Sequence, residues 1–305
     1  MNGNRILITG STGAIGTGLL KTLLDSGYYS IAVTVKEKQA NDSIFGPAVT
    51  HIDYNNIITF RDEINKFSPE VVLHLASYST NNDDEDSIQN LIDSNIVFLS
   101  RLFDALRSSE LKLFINTGSF SEYTYNYNSL NPAYFYAATK TASRSIVSYY
   151  KNLLKIKCCT IVPYTIYGGK SKTKKVFDFM LDSLDSSEPV KMTKGLQVLD
   201  FIHIQDVVSF YAHLLKNTEL IQNEKTYHLG TGIGTKIKKV ASMIEDISEK
   251  NCNIDWGGFN YRDTDIMKSI APINILEQDL KWIPSINLKE GIEICYNQRF
   301  KENLK

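Results

Sequence analysis

Short apolar runs alternate with amphipathic segments through the first half of the chain. The apolar runs are rich in Ile, Val and Leu, and they predict buried strands at 5–10, 30–35, 48–53, 70–77, 111–119 and 156–163. Between them, apolar residues recur at helical spacing, and they predict helices at 14–27, 58–67, 85–109 and 133–155. The pattern therefore predicts an alternation of strands and helices.

Strands that are apolar along their whole length fit a parallel sheet covered on both faces. Helices between consecutive strands, with right-handed crossovers, make such a sheet doubly wound. The predicted fold is α/β, with a Rossmann-type doubly wound parallel sheet over residues 1–165. Beyond residue 165 the pattern loosens into short elements. This predicts a smaller, mixed α/β substrate lobe over 166–305, with segments near 199–215 returning to the first domain.

Composition narrows the function classes. The formal net charge is −1, which gives no electrostatic footprint for nucleic acid or for an anionic membrane. No apolar run approaches the roughly 18 residues that a membrane-spanning helix needs. The four cysteines lack CxxC spacing and the five histidines lack ligand spacing, so we predict no metal. The chain passes from "MNGNR" directly into a strand, and we expect a cytoplasmic protein.

Glycines at 10, 13 and 16 lie where the first predicted strand turns into the first helix. Gly10 allows the tight turn, Gly13 lets the backbone approach a pyrophosphate, and Gly16 lets the helix pack closely on the sheet. The helix N-terminus offers N–H groups and the positive end of a dipole to phosphates. The position of this turn at the start of a βα unit predicts a dinucleotide site.

The end of the second strand discriminates between cofactors. NAD sites usually place an acidic residue there for the ribose 2′-hydroxyl, whereas a 2′-phosphate needs cations. Here Lys36 and Lys38 flank Glu37, which favours NADP and leaves NAD as the alternative. Asp53, at the end of the third strand, is placed to reach the adenine amine or to cap the next segment.

Tyr136 and Lys140 form a Tyr-x-x-x-Lys pair in "YFYAATK", one helical turn apart. Taken alone the pair is weak evidence, because such pairs occur by chance on many helices. A phenol has an ordinary pKa of about 10, and an ammonium group one turn away is expected to lower it by favouring the phenolate. The pair therefore suits acid–base chemistry, provided that the rest of the sequence supports it.

A set of motifs in order along the chain supplies that support. They are "TGSTGAIG" at 9–16, "HLAS" at 74–77, Asn95 in "DSNIVFL", "NTGS" at 116–119, "YAATK" at 136–140 and "LDFIHIQDVV" at 199–208. In type, order and spacing the chain resembles the extended short-chain dehydrogenases/reductases, in the NAD(P)-dependent sugar epimerase/dehydratase branch. The resemblance covers residues 5 to about 295.

The resemblance implies that Ser119, Tyr136 and Lys140 are catalytic, with Thr117 as an alternative to Ser119 and as a substrate contact. Tyr136 would exchange a proton with the sugar oxygen, and Lys140 would also bind the nicotinamide ribose. With the residue-based predictions above, the expected cofactor contacts are Gly10, Thr12, Gly13, Ala14, Ile15, Gly16, Lys36, Asp53, Leu75, Ala76, Asn95, Tyr136, Lys140 and Pro163.

Within the family, the motifs look similar to the CDP-abequose and CDP-paratose synthases, which reduce CDP-4-keto-3,6-dideoxyhexoses for surface polysaccharides such as O-antigen. The resemblance thus implies an NADPH-dependent 4-ketoreductase, with reductases of other nucleotide-linked 4-ketosugars as near alternatives. An epimerase that retains NAD has the same catalytic residues and also stays open. A dehydratase usually adds an acidic pair after the hydroxyl residue, and Phe120 and Ser121 argue against it. A non-catalytic dinucleotide sensor characteristically loses the tyrosine or lysine, which this chain keeps.

Substrate and assembly follow from the same resemblance. Arg262 in "YRDTD" matches a family arginine that binds the substrate diphosphate, and Lys175 lies in a lysine-rich loop that either contacts phosphate or is merely solvated. His203 is expected to be structural, because Tyr136 fills the acid–base role. Relatives pair their two long helices across a two-fold axis, which implies a homodimer.

The lysines after the second strand give a test of cofactor preference. We expect NADPH to bind more tightly than NADH, and Lys36→Asp to weaken NADPH binding more than NADH binding, because the 2′-phosphate loses a cation. Fluorescence titration of native and variant protein with both cofactors measures this. Equal affinities in the native protein, unchanged in the variant, would contradict the prediction.

Overall fold

A seven-stranded parallel sheet forms the centre of the protein. The computed structural model describes residues 4–28, 30–35, 46–169 and 173–301. In chain order the sheet strands are β1 (Ile6–Thr9), β2 (Ile31–Val35), β3 (Thr50–Asp53), β4 (Val71–His74), β5 (Leu113–Thr117), β6 (Lys157–Pro163) and β10 (Thr226–Leu229). They lie side by side in the order β10-β6-β5-β4-β1-β2-β3, with every pair parallel. The chain winds outward from β1 in both directions, which confirms the predicted doubly wound α/β fold.

Helices cover both faces of this sheet. They are α1 (Ala14–Asp25), α2 (Ile57–Phe67), α3 (Glu85–Ile92), α4 (Phe98–Ala105), α5 (Phe135–Leu154) and α7 (Ile204–Lys216). Side chains alternate along each strand, so Ile6 and Ile8 pack toward α1 and α7 while Leu7 packs toward α2, α4 and α5. No described helix is both long and apolar enough to cross a membrane.

The predicted helix over 85–109 is interrupted. A π-helical turn, Asp93–Val97, separates α3 from α4, and a 3₁₀ turn, Leu106–Ser108, follows α4. The π turn inserts a wider loop into a helix whose apolar spacing continues on both sides. It therefore leaves no break in the sequence pattern, although such turns are frequent at functional sites. Asn95 lies in the middle of it and is buried.

Most of the remaining elements form a smaller lobe with a core of its own. They are β7 (Thr165–Tyr167), α6 (Val176–Asp182), β8 (Val190–Met192), β9 (Val198–His203), β11 (Gly234–Lys236), α8 (Ile237–Ser248), β12 (Ile254–Trp256), β13 (Lys268–Ser269) and α10 (Leu288–Phe300). Helix α9 (Asn274–Leu280) instead packs against the core of the large sheet through Leu276 and Leu280. Strand β9 pairs with β7, β11 and β13, and β8 pairs with β12. Strand β9 runs directly into α7, so this lobe continues into a helix of the large sheet.

One buried carboxylate fixes the loops of the smaller lobe near the sheet edge. Asp200 on β9 is fully buried, and it accepts hydrogen bonds from the backbone N–H groups of Thr231, Gly232 and Ala271 at 2.8–3.1 Å. The Thr231 hydroxyl donates to it as well, at 2.6 Å. These hydrogen bonds compensate the desolvation of the carboxylate and tie the segment after β10 to the segment after β13.

Candidate active site

The turn after β1 has the geometry that its glycines predict. Gly10 has a φ of +72°, and a Cβ there would lie 2.6 Å from the backbone nitrogen of Ala76. Gly16 is equally constrained, because a Cβ would lie 2.4 Å from the carbonyl oxygen of Gly10. At Gly13 a Cβ would meet only that carbonyl oxygen, at 3.3 Å, so the space beside it is open. The turn thus combines two packed glycines with one that faces space.

Gly13 is also the N-cap of α1, and its N–H group donates to the Gly10 carbonyl at 3.1 Å. No described side chain caps this helix, so the N–H groups of its first turn, which includes Ala14 and Ile15, keep their capacity to bind an anion. Thr12 is exposed on the turn itself. The predicted pyrophosphate contacts are therefore brought together in one exposed cradle.

The segment after β4 forms the neighbouring wall. Leu75 and Ala76 pass directly over Gly10, and the Ala76 N–H donates to the Thr9 hydroxyl at 3.1 Å. Thr9 also lies 2.8 Å from Nδ1 of His74, beneath the sheet edge. The carboxyl ends of β1 and β4 are thereby locked side by side.

Asn95 joins that wall to helix α5. Its amide nitrogen donates to the Thr139 hydroxyl at 2.9 Å and to the Tyr78 carbonyl at 3.2 Å. Its amide oxygen accepts from the Ser77 hydroxyl at 3.0 Å and from the Tyr78 N–H at 3.1 Å. The structure thus uses Asn95 to hold the post-β4 segment against α5, and direct contact with a cofactor stays a prediction.

Ser119 and Tyr136 are brought together, as the motifs predict. The side chains of Ser77 and Ser119 lie close enough to the Tyr136 phenol to lower its pKa against the effect of burial. Lys140 lies one turn further along α5 and is only 3% exposed. The three predicted catalytic residues therefore converge at the carboxyl edge of the sheet, between the glycine turn and the smaller lobe.

Burial sets the proton affinities at this edge. It raises the pKa of Tyr136 to about 12, with Tyr134 adding to the shift and hydrogen bonds from Ser77 and Ser119 opposing it. It lowers the pKa of Lys140 to about 8. The net shift of the Tyr136 pKa is upward, opposite to the lowering expected from Lys140, because desolvation of the phenolate is its largest cause.

Thr117 points elsewhere. Its hydroxyl lies 2.9 Å from the hydroxyl of Tyr211 on α7, on the opposite face of the sheet from α5. The structure therefore does not bring it to Tyr136 as an alternative to Ser119. Strand β5 ends at Thr117, so Ser119 lies beyond the strand, at the start of the 3₁₀ turn Phe120–Glu122, and does not follow the alternation of the strand.

Other predicted cofactor contacts lie at the ends of the sheet strands. Pro163 ends β6 at the same sheet edge, and Asp53 ends β3, where its carboxylate accepts the Asn55 N–H at 2.8 Å and so caps the next segment. Lys36 and Lys38 fall outside the described residues. The structure therefore describes a local partner for Asp53 and leaves the predicted 2′-phosphate contact untested.

The predicted diphosphate contacts come from the smaller lobe. Arg262 donates from Nη1 to the carbonyl of Asn81, on the segment after β4, at 3.2 Å, and its charge lowers the pKa of the nearby Tyr134 against the dominant effect of burial. Lys175 is the N-cap residue of α6, and Asp178 accepts its backbone N–H at 2.8 Å. Only Arg262 is therefore seen to approach the residues around Tyr136.

His203 has a structural position. It is 1% exposed, its Nδ1 accepts the Gln205 N–H at 3.3 Å, and it is the N-cap of α7. It therefore caps the helix that carries Tyr211, which agrees with the structural role expected for it.

Sequence reasoning missed a buried ion pair beside Ser119. Glu122 is fully buried and pairs with Arg144 on α5, with Oε2 accepting from Nε at 2.6 Å. One hydroxyl was also missed: the Ser121 hydroxyl lies 2.8 Å from the Ser119 hydroxyl, and Ser121 lowers the pKa of Tyr134 against the effect of burial. The one sequence signal was the position of Arg144, four residues after Lys140 on the same helical stripe.

Comparisons with known proteins agree with this site. A model of the NAD dependent epimerase/dehydratase family matches residues 6–230. The chain is 28% identical to CDP-abequose synthase of Salmonella typhimurium strain LT2, covering 94% of this chain and 96% of that one. It is 24% identical to CDP-abequose synthase of Yersinia pseudotuberculosis, covering 86% and 90%. The predicted family is therefore confirmed.

Solved structures agree on the fold. UDP-glucose 4-epimerase of Thermotoga maritima, solved with UDP-glucose, superposes with a TM-score of 0.84 at 18% identity, covering 98% of this chain and 99% of that one. UDP-glucose 4-epimerase of Thermus thermophilus, solved with NAD, gives 0.82 at 19% identity, covering 97% and 99%.

The two environments of Gly13 and Gly16 predict opposite outcomes for the same substitution. Gly16→Ala should destabilise the protein itself, because the added Cβ meets backbone atoms at 2.4 Å. Gly13→Ala should lower the thermal midpoint much less than Gly16→Ala, because its Cβ meets one backbone atom at 3.3 Å. It should abolish the stabilisation that NADH or NADPH gives, because the Cβ otherwise enters the open space. Thermal unfolding with and without cofactor measures both, and full stabilisation of Gly13→Ala by cofactor would refute the assignment.

Proposed function

Because the chain belongs to the NAD dependent epimerase/dehydratase family, we propose that it reduces the 4-keto group of a nucleotide-linked deoxysugar. The observation that carries the proposal is the convergence of Ser119, Tyr136 and Lys140 beside the glycine turn. Similarity over nearly the whole chain to enzymes named CDP-abequose synthase supports a CDP-4-keto-3,6-dideoxyhexose as the sugar, in the synthesis of surface polysaccharide.

The proposed chemistry divides between cofactor and protein. A reduced nicotinamide supplies the hydride when it is bound. Tyr136 donates its phenolic proton to the oxygen at C4, and Ser119 hydrogen-bonds the same oxygen and orients the ketone. Lys140, with a pKa of about 8, is protonated at neutral pH and stabilises the phenolate that remains.

A phenol whose pKa is raised to about 12 is almost wholly protonated at neutral pH, which is the form that donates a proton to the reduced ketone. An epimerase uses the same tyrosine as base and as acid, so this pKa does not decide between the two reactions. The epimerase with retained NAD is the second candidate, and its support is the epimerase fold of the structural relatives.

The finer choice of cofactor stays a proposal. The case for NADPH rests on Lys36 and Lys38, whereas relatives of known structure were solved with NAD, which favours NADH.

We propose that residues 166–305 hold the nucleotide sugar, with Arg262 and Lys175 near its diphosphate. Arg262 is the better supported of the two, because it contacts the segment after β4 and its charge acts on Tyr134 beside the site.

Purified protein with CDP-, dTDP- and GDP-linked 4-keto-deoxysugars, followed at the absorbance of reduced nicotinamide, tests the proposal. We expect consumption of NADPH or NADH in proportion to product, with the CDP-linked 3,6-dideoxy substrate turned over fastest. Interconversion of 4-hydroxy sugars without net cofactor consumption would establish the epimerase instead.

The same assay tests Tyr136. Tyr136→Phe removes the proton donor and keeps the ring, so turnover should fall by a factor on the order of 10²–10⁴ while sugar affinity changes little. Lys140→Met should also weaken cofactor binding, and Ser119→Ala should be milder. Tyr149→Phe, on an exposed face of the same helix, is the control. A folded, cofactor-binding Tyr136→Phe enzyme with native turnover would remove the catalytic assignment.

We propose that the protein is a homodimer paired through α3, α4 and α5. Helix α5 exposes Tyr149 and Leu153, at 60% and 44%, which supports a covered apolar face. Light scattering at micromolar concentration should give the mass of two chains for the native protein and of one chain for the Tyr149→Glu, Leu153→Glu double variant. Ile58→Glu, on an exposed apolar side chain of α2, should stay dimeric. A native mass of one chain would contradict the proposal.

A further inference from the structure

We propose that the buried Glu122–Arg144 ion pair is a positioning device for the active site, which fixes Ser119 beside Tyr136 and balances the charges around Lys140. The proposal rests on the function proposed above. Neither residue is needed as a direct substrate contact, because each acts through a neighbour that the site uses.

The ion pair is bidentate and shielded from water. Arg144 donates from Nε to Oε2 of Glu122 at 2.6 Å and from Nη2 to Oε1 at 3.2 Å. The side chain of Glu122 is fully buried and that of Arg144 is 16% exposed. A buried pair of this kind is poor evidence for added stability, because desolvation offsets the attraction. Because the pair adds little stability, its position beside Ser119 and Lys140 is better explained by a role in fixing the geometry and the charge of the site.

The first connection runs to Ser119. The backbone N–H of Ser119 donates to Oε1 of Glu122 at 2.7 Å, and the Ser119 hydroxyl accepts from the Ser121 N–H at 3.3 Å. Together they form a capping box around the 3₁₀ turn Phe120–Glu122. A Cβ on Gly118 would lie 2.5 Å from the same Oε1, so the strand end is shaped to let the carboxylate approach. The position of Ser119 is thus set by Glu122.

The second connection runs to the catalytic helix. Tyr136, Lys140 and Arg144 are spaced by four residues on α5, so one stripe carries the proton donor, the ammonium group and the ion-pair partner. Arg144 also donates from Nη1 to the Thr226 hydroxyl on β10 at 3.2 Å. The pair thereby joins the turn after β5, helix α5 and the edge strand.

The third connection is electrostatic. Lys140 is faced by Glu122 from the 3₁₀ turn, by Arg144 and Tyr136 from its own helix and by His74 from β4. Burial lowers the pKa of His74 to about 3 and raises that of Tyr136 to about 12, so both are neutral near pH 7. The remaining charges are opposed: Glu122 raises the pKa of Lys140, and Arg144 lowers it. Removal of either member of the pair therefore leaves the charge of the other member to act on Lys140 alone.

Two substitutions should shift the pKa of Lys140 in opposite directions. Glu122→Gln removes the charge that supports the ammonium form, so Lys140 should lose its proton at lower pH. Arg144→Met removes the opposing charge, so Lys140 should keep its proton to higher pH. We expect displacements of about one pH unit for neighbouring charges of this kind. A merely structural role would give displacements of no consistent sign.

The measurement is the pH dependence of NADH and NADPH binding by fluorescence, without sugar. Cofactor binding is expected to be lost as the pH rises. The pH at which half of it is lost should be lower in Glu122→Gln and higher in Arg144→Met. It should be unchanged in Arg144→Lys, which keeps the charge. Lys151→Met is the matched control: it removes an ion pair with Glu224, 2.5 Å long, from the same helix. It should leave the pH dependence unchanged. Thermal unfolding checks that each variant is folded.

Turnover gives the second readout. Arg144→Lys loses the bidentate geometry and should lower kcat, by about tenfold for a displaced orienting hydrogen bond, with little change in KM for the sugar. Identical pH dependence of cofactor binding in native and Glu122→Gln protein, or native kcat in folded Arg144→Lys, would overturn the inference. If no 4-ketosugar is reduced by the native enzyme, the proposed function fails, and the cofactor-binding comparison still decides the role of the pair.

Discussion

The burial of one ammonium group organises the carboxyl edge of this sheet. Lys140 is almost wholly removed from water, and such a group deprotonates unless opposite charge compensates its lost hydration. A pKa of about 8 shows a balance in which the charged form survives at neutral pH by a small margin. Around it the structure places the Glu122 carboxylate, an uncharged His74 and a protonated Tyr136. The proton affinities of the site are therefore properties of the whole cluster.

The strands of the large sheet and the glycine turn could be predicted from the sequence, because each depends on residues that are close together in the chain. Every strand predicted in the first 165 residues is present within a few residues of its predicted bounds, because a strand buried on both faces must be apolar throughout. The glycine turn was predictable for the same reason: the strained φ of Gly10 and the close approach at Gly16 admit only one residue type. The convergence of Ser119 with Tyr136 followed from matched motifs, and their catalytic roles stay predictions.

The parts that sequence reasoning missed depend on distant pairings. Glu122 and Arg144 lie 22 residues apart, and nothing in the polarity of either segment marks them as partners. Strand β10 joins the sheet from the loosely patterned region beyond residue 165, where the direction of the chain depends on contacts such as those of Asp200. The raised pKa of Tyr136 was also missed, because a charge four residues away is visible in a sequence whereas the depth of burial is not.

The hydrogen bond between Arg262 and the Asn81 carbonyl has a consequence for how a ligand enters. It is exposed and it joins a cation to a neutral acceptor, so it contributes only about 1–3 kcal/mol. Under the proposed function, Arg262 would exchange this neutral acceptor for the diphosphate, which offers full negative charge in place of a partial one. The Asn81 carbonyl would then be the partner that Arg262 keeps only until the ligand displaces it.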